Sequence, residues 1–171
     1  MEKLKNRVEL LKFFNDSGFK IGAEIGVWKA AYSSQMLTLI ELDALYCIDP
    51  WNGIGMSKEF DGDEVYNIAK ATLAPFDDRV KIIRKTSEEA ANEFHDGSLD
   101  FVYLDGLHDY DSVILDIQLW KQKIKKNGGI LCGHDYGNRG KKRVKRAVTK
   151  LFSKEMINVT GEKCSSWWIK V

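Results

Sequence analysis

A chain of 171 residues, 44% hydrophobic and 30% charged with only two prolines, has a globular make-up, long enough for one buried core and short for two. Its 26 basic and 25 acidic groups leave a net charge of +1, which excludes a global field for nucleic acid or an anionic membrane. Residues 1–171 are therefore expected to form one domain, with an amphipathic helix over 1–18 and a core over 20–171.

Leu4, Val8 and Leu11 recur at helical spacing, and Gly18 tolerates the left-handed backbone that ends a helix. This charged opening holds no apolar stretch that would serve as a signal-peptide core or span a bilayer. Apolar runs follow at 20–26, 44–49, 80–84, 99–105 and 129–134, without polar alternation. Each connection between them is long enough for a crossover helix, so they predict parallel strands covered on both faces. Two further runs, 157–160 and 166–171, flank Gly161 to Ser165 and predict an antiparallel hairpin at one sheet edge. The expected fold class is α/β, a doubly wound sheet of about seven strands, mostly parallel with an antiparallel C-terminal strand. Cys47 and Cys132 lie within apolar runs and Cys164 outside them. That odd, widely spaced set reads as reduced thiols of a cytoplasmic protein.

Ligands of open α/β sheets bind outside the carboxyl ends of the strands. The first run ends in Ala23-Glu24-Ile25-Gly26, and Gly26 lets a ligand approach the backbone closely. A dinucleotide pyrophosphate would want two more glycines, whereas this stretch supplies Ala30. A smaller nucleoside carrying a carboxylate and a sulfonium fits better. Asp49 ends the second strand 23 residues beyond Gly26, near the offset at which a carboxylate accepts ribose hydroxyls. Singly, Gly26 is as well explained by a plain turn and Asp49 by a turn carboxylate; their joint placement favours a site.

The fourth strand delivers Asp105, followed by Gly106-Leu107-His108, and the fifth delivers His134-Asp135. If these strands are neighbours their ends lie about 5 Å apart. Asp105, His134 and Asp135 then converge, and two carboxylates with one imidazole make a divalent-metal donor set, Mg²⁺ or Mn²⁺ ahead of iron, zinc or other transition ions. Such a cation would lower the pKa of an acceptor hydroxyl, and His108 would take its proton. Each of these residues alone reads equally as a turn former or helix cap. His95 sits in a polar segment and reads as a surface residue.

With these residues in hand, the chain resembles the class I S-adenosylmethionine-dependent methyltransferases. Within them it resembles the small-molecule O-methyltransferases related to macrolide-sugar methyltransferases and catechol O-methyltransferase. The likeness runs from about Lys20 to Phe152, on AEIGVWKAAYS, LYCIDPW, RKTSEEAA, FVYLDGLHDYDSVILDIQLW and GGILCGHDY. It implies a Rossmann-like sheet, S-adenosylmethionine as cofactor and a small-molecule hydroxyl acceptor. By resemblance Glu24 and Gly26 line the cofactor's methionine part, Ser33 its carboxylate, Asp49 its ribose, and Ser87 with Glu88 its adenine. Asp105, His134 and Asp135 match the metal positions, and His108, with Asp105 beside it, matches a basic residue near the acceptor hydroxyl. The chain departs from the pattern at Ala30, where a second glycine is common, and at His134, where an acidic residue is usual.

Trp51 reads either as a cover for the ligand or as a packed lid, and 52–62 as a mobile flap. The run from Arg139 to Arg146, six of eight residues basic, raises a nucleic-acid reading. Val144, Val148, Leu151 and Phe152 at helical spacing instead assign those charges to the solvated face of an amphipathic helix. The Asn/Asp-Pro-Pro-aromatic segment of nucleic-acid amino methylases is absent, since Pro50 and Pro75 are the only prolines. A module that kept the fold but lost the chemistry is the third reading. Self-association into a homo-oligomer is left open.

Overall fold

The computed structural model describes residues 3–53, 60–137 and 142–171. Helix α1 (Arg7–Asp16) begins at Asn6, whose side chain accepts from the amides of Val8 and Glu9, and ends before Gly18 at φ 72°. Strands β1 (Ile21–Ile25), β2 (Ala44–Ile48), β3 (Val80–Ile83), β4 (Phe101–Leu104) and β5 (Ile130–Gly133) fall inside the five expected runs. Between them stand α2 (Ala31–Leu39), α3 (Gly62–Leu73), α4 (Ser87–Ala91) and α5 (Tyr110–Lys121). After β5 come α6 (Arg143–Leu151), β6 (Asn158–Val159) and β7 (Trp167–Lys170).

The seven strands lie in the order β3-β2-β1-β4-β5-β7-β6. The first five pair in parallel, and β7 runs antiparallel to both β5 and β6. This doubly wound sheet is the expected fold class. Its order reverses between β1 and β4, which opens a crevice at their carboxyl ends.

Alternate residues of each strand enter opposite cores. Phe101, Tyr103, Cys47 and Cys132 pack beneath α1, α2 and α3 with Leu10, Phe14, Met36 and Val65. Val102, Leu104, Leu131 and Trp167 pack beneath α5 and α6 with Ile117, Trp120, Val144 and Val148. Helix α6 buries Val144, Ala147 and Val148 and leaves Arg143, Lys145 and Arg146 exposed, an amphipathic helix. The expected flap falls largely on residues 54–59, and Arg139 to Lys141 of the basic run likewise lie outside the described residues. Among the described residues, no helix is long and apolar enough to cross a membrane.

Phe101 is fully buried, its ring 4.8 Å from that of Phe14 and 6.1 Å from that of Phe19. Phe101→Ala is expected to lower the unfolding free energy by about 3–5 kcal/mol, measured by urea denaturation. A loss below about 1 kcal/mol would show that these rings do not anchor α1 to the sheet.

Candidate active site

The crevice takes its shape from close backbone approach. Gly26 sits at φ 90°, and a β-carbon there would stand 2.4 Å from the carbonyl oxygen of Asp105 and 2.5 Å from the α-carbon of Gly106. Only glycine accommodates both the dihedral and the contact. The loop is braced from the other side by Asp49. One carboxylate oxygen accepts from the amides of Val27 and Trp28, each at 3.0 Å, and the other from Trp51 at 2.8 Å. Asp49 still lines the crevice. The ends of β1, β2 and β4 thus enclose a cavity of about 380 Å³, whose walls include Gly26, Trp28, Asp49, Ser87, Leu107 and Asp116. That volume lies within the range of small-molecule sites.

Glu24 and Ser33 stand apart from this cavity. Both are buried, and the Ser33 hydroxyl donates to the Glu24 carboxylate. Strand β1 presents Glu24 to the core face, where α2 supplies Ser33 as its partner. Burial pushes Glu24 up to about 8, with the Ser33 bond acting against the rise. The two residues expected along the cofactor's methionine end therefore prop the first crossover from beneath, off the cavity wall.

At the ends of β4 and β5, which pair Leu104 with Gly133, the structure gathers Asp105, His108, His134 and Asp135. His108 Nε2 lies 3.1 Å from Asp105 Oδ1, and its Nδ1 lies 3.6 Å from Asp135 Oδ2. His134 Nδ1 lies 3.5 Å from Asp105 Oδ1 and 3.5 Å from Asp135 Oδ1. Asp135 takes its place through a left-handed backbone, φ 59°, which a non-glycine residue adopts only under constraint from its surroundings. Burial pushes Asp105 up, but bonding to His108 and His134 outweighs it and holds the carboxyl below its ordinary range. The hydrogen bond to Asp105 raises His108 against the effect of its burial.

Two carboxylates and two imidazoles are suitable donors for a divalent cation, and they meet at one place. Among the described residues, however, no three His, Cys, Asp or Glu side chains already stand in the arrangement of a metal cage. The imidazoles instead bridge the carboxylates.

Ser87 and Glu88 line the cavity, and the Ser87 hydroxyl is committed within the protein: it accepts from Trp120 Nε1 at 2.8 Å and donates to Asp116. Trp51 is buried, its ring 5.0 Å from that of Tyr66 and its Nε1 bonded to the Trp28 carbonyl, so it packs as a support. The exposed aromatic on the cavity wall is Trp28, in a left-handed backbone at φ 56°. Asp116, another wall residue, has a sequence signal that could have revealed it. It shares the buried stripe Val113, Asp116, Ile117 and Trp120 of α5, where a carboxylate interrupts an apolar face.

The family described as "Methyltransferase domain" matches residues 23–136, which runs from within β1 through β5 and takes in all four residues of the cluster. The chain belongs to that family. The chain is 30% identical over 90 residues to "Uncharacterized protein y4gI" of Sinorhizobium fredii (strain NBRC 101917 / NGR234). That match takes in 53% of the chain and 10% of the relative, so the chain spans a small part of the relative's length.

Its fold is similar to that of the O-methyltransferase from Bacillus cereus in complex with SAH, with TM-score 0.69 and 12% identity, covering 96% of this chain and 80% of that one. It is also similar to a Staphylococcus aureus protein provisionally described as a caffeoyl-CoA O-methyltransferase, with TM-score 0.70 and 16% identity, covering 96% and 83%. A Clostridium thermocellum protein provisionally described as an rRNA methylase matches with TM-score 0.66 and 11% identity, covering 99% and 97%. The class I S-adenosylmethionine-dependent methyltransferase assignment read from the sequence thus agrees with family and fold.

Buried Glu24 makes the stability of the protein depend on pH. Its folded value, about 8, exceeds the ordinary 4.5, so the native state holds the extra proton between them. Stability is fully present below pH 4.5 and is lost as pH rises through about 8, by an amount on the order of 5 kcal/mol. Glu24→Gln is expected to flatten this slope in urea titrations between pH 5 and 8.5. An unchanged slope would show that another group carries it.

Proposed function

We propose that this methyltransferase transfers a methyl group from S-adenosylmethionine to a hydroxyl oxygen of a small molecule. The observation that carries the reading is the gathering of Asp105, His108, His134 and Asp135 beside the Gly26–Asp49 cavity. When bound, the cofactor supplies a methyl group on a positively charged sulfur, a strong electrophile that needs only an aligned nucleophile.

Gly26 gives the nucleoside an unobstructed backbone wall, Asp49 meets its ribose from the end of β2, and Ser87 and Glu88 flank its base. Buried Glu24, with Ser33, props the turn that receives the cofactor's methionine end. His108 takes the acceptor's proton as its oxygen bonds the methyl carbon, with the electrons of the broken carbon–sulfur bond left on sulfur. Asp105 orients the imidazole and raises its basicity. Asp105, His134 and Asp135 would hold a divalent cation, Mg²⁺ or Mn²⁺. That ion would supply a lowered pKa at the acceptor hydroxyl. The free, buried thiols Cys47 and Cys132 accord with a cytoplasmic setting, and residues 1–171 act in this reading as one domain.

A nucleic-acid acceptor is the second reading. It is favoured by the exposed Arg143, Lys145 and Arg146 on α6 and by the fold likeness to the Clostridium thermocellum protein. Labelled S-adenosylmethionine, offered with hydroxylated metabolites and separately with RNA, decides between them. Label in a metabolite supports the first reading, and label in RNA alone overturns it.

His108→Ala is expected to lower turnover by about 10²–10⁴-fold while sparing affinity for S-adenosylhomocysteine, measured by calorimetry. Lost cofactor binding would mean that His108 serves the cofactor instead. Chelation should suppress transfer, Mg²⁺ or Mn²⁺ should restore it, and Asp135→Ala should abolish the response; full activity in excess chelator refutes the metal role.

A further inference from the structure

Asp116 has a carboxylate only 8% exposed, yet it lines the cavity. Among the described residues its one hydrogen bond comes from Ser87, to Oδ1. Trp120 Nε1 donates to the same Ser87 hydroxyl, so the chain Trp120–Ser87–Asp116 fixes the carboxylate in a single orientation. The second oxygen, Oδ2, lies 3.9 Å from the position a β-carbon on Gly106 would occupy, at the cavity wall. Among the described residues that oxygen has no protein partner, and it is open to the cavity, so a ligand that displaces solvent from it is held best when it donates a hydrogen there. Burial pushes Asp116 up to about 6, so at neutral pH it remains an acceptor. Leu107 and Leu115, exposed by 41% and 43%, line the same cavity, as walls for a flat apolar ring would.

We infer that Asp116 reads the exocyclic amino group of the purine base, making the cavity selective for a 6-aminopurine nucleoside over a 6-oxopurine one. The inference rests on the cavity being the nucleoside site of the cofactor. An amino group at position 6 donates to Oδ2, whereas a carbonyl oxygen there sets two acceptors against each other with no hydrogen between them. Asp116 is thus a specificity residue, and Ser87 with Trp120 positions it.

The test measures the affinities of S-adenosylhomocysteine and its deaminated form, S-inosylhomocysteine, by calorimetry on the full chain. The wild-type protein is expected to prefer the adenosyl compound by about tenfold or more, the scale of one hydrogen bond to a charged group. Asp116→Asn, which keeps an acceptor for Ser87 and offers a donor to the cavity, should erase or reverse that preference. Equal weakening of both compounds in the variant would overturn the inference, since a carboxylate that merely braces α4 against α5 would act that way. An absent preference in the wild type also overturns it, whether or not the variant folds. If the wild type binds neither compound, the cofactor reading itself fails, and the inference with it.

Discussion

The site depends on one backbone contact: the turn after β1 lies directly on the main chain that leaves β4, at Gly26 against Asp105 and Gly106. A side chain at Gly26 would push apart the two loops that enclose the cavity, and with them the wall that separates it from the His–Asp cluster. The contact is held from both sides. The Gly26 amide bonds the Ile48 carbonyl at 2.8 Å, and the Asp105 amide bonds the Ile25 carbonyl at 2.7 Å. Asp49 then ties Val27, Trp28 and Trp51 into one braced turn. A nucleoside pocket and a proton-accepting cluster become neighbours because the strand order reverses at that point.

Four acidic side chains crowd the carboxyl ends of β1, β2 and β4 and the adjoining face of α5, and each answers burial differently. Glu24 keeps its proton and takes a hydroxyl partner. Asp49 accepts from three loop amides and still lines the cavity. Asp105 stays ionised because two imidazoles face it. Asp116 satisfies one oxygen and turns the other to the cavity. Buried carboxylates are stable only with such partners, so their placement marks where the fold gives up apolar packing to keep polar groups in reach of a ligand.

Much of this architecture is legible in the linear chain. Parallel strands covered on both faces must be continuously apolar, so the five runs are visible without a fold, and each observed strand falls within its run. A run that stops at a polar, ionisable residue, as at Asp105 and at His134-Asp135, marks a strand end. Family and fold agree with that reading. Side-chain partners are different. Ser33 reads as a ligand residue until α2 is packed on β1, when its hydroxyl turns out to face Glu24. Nor does spacing show that α5 brings Trp120 and Asp116 to the Ser87 hydroxyl. Trp28 and Trp51 differ in exposure because of how their turn folds, though both have positive φ.

The sequence by itself determined the order of strands and helices, the glycine and carboxylate at the first two strand ends, and the histidines and aspartates at the last two parallel ones. These follow from periodicity and from local chain reversal, which involve only near neighbours. Tertiary structure alone decided which of those polar groups face the cavity and which are consumed within the protein. A hydrogen bond between residues 29 or 33 positions apart, as Ser87 makes with Asp116 and Trp120, exists only after the helices dock, because its direction is set by packing and leaves no trace in spacing.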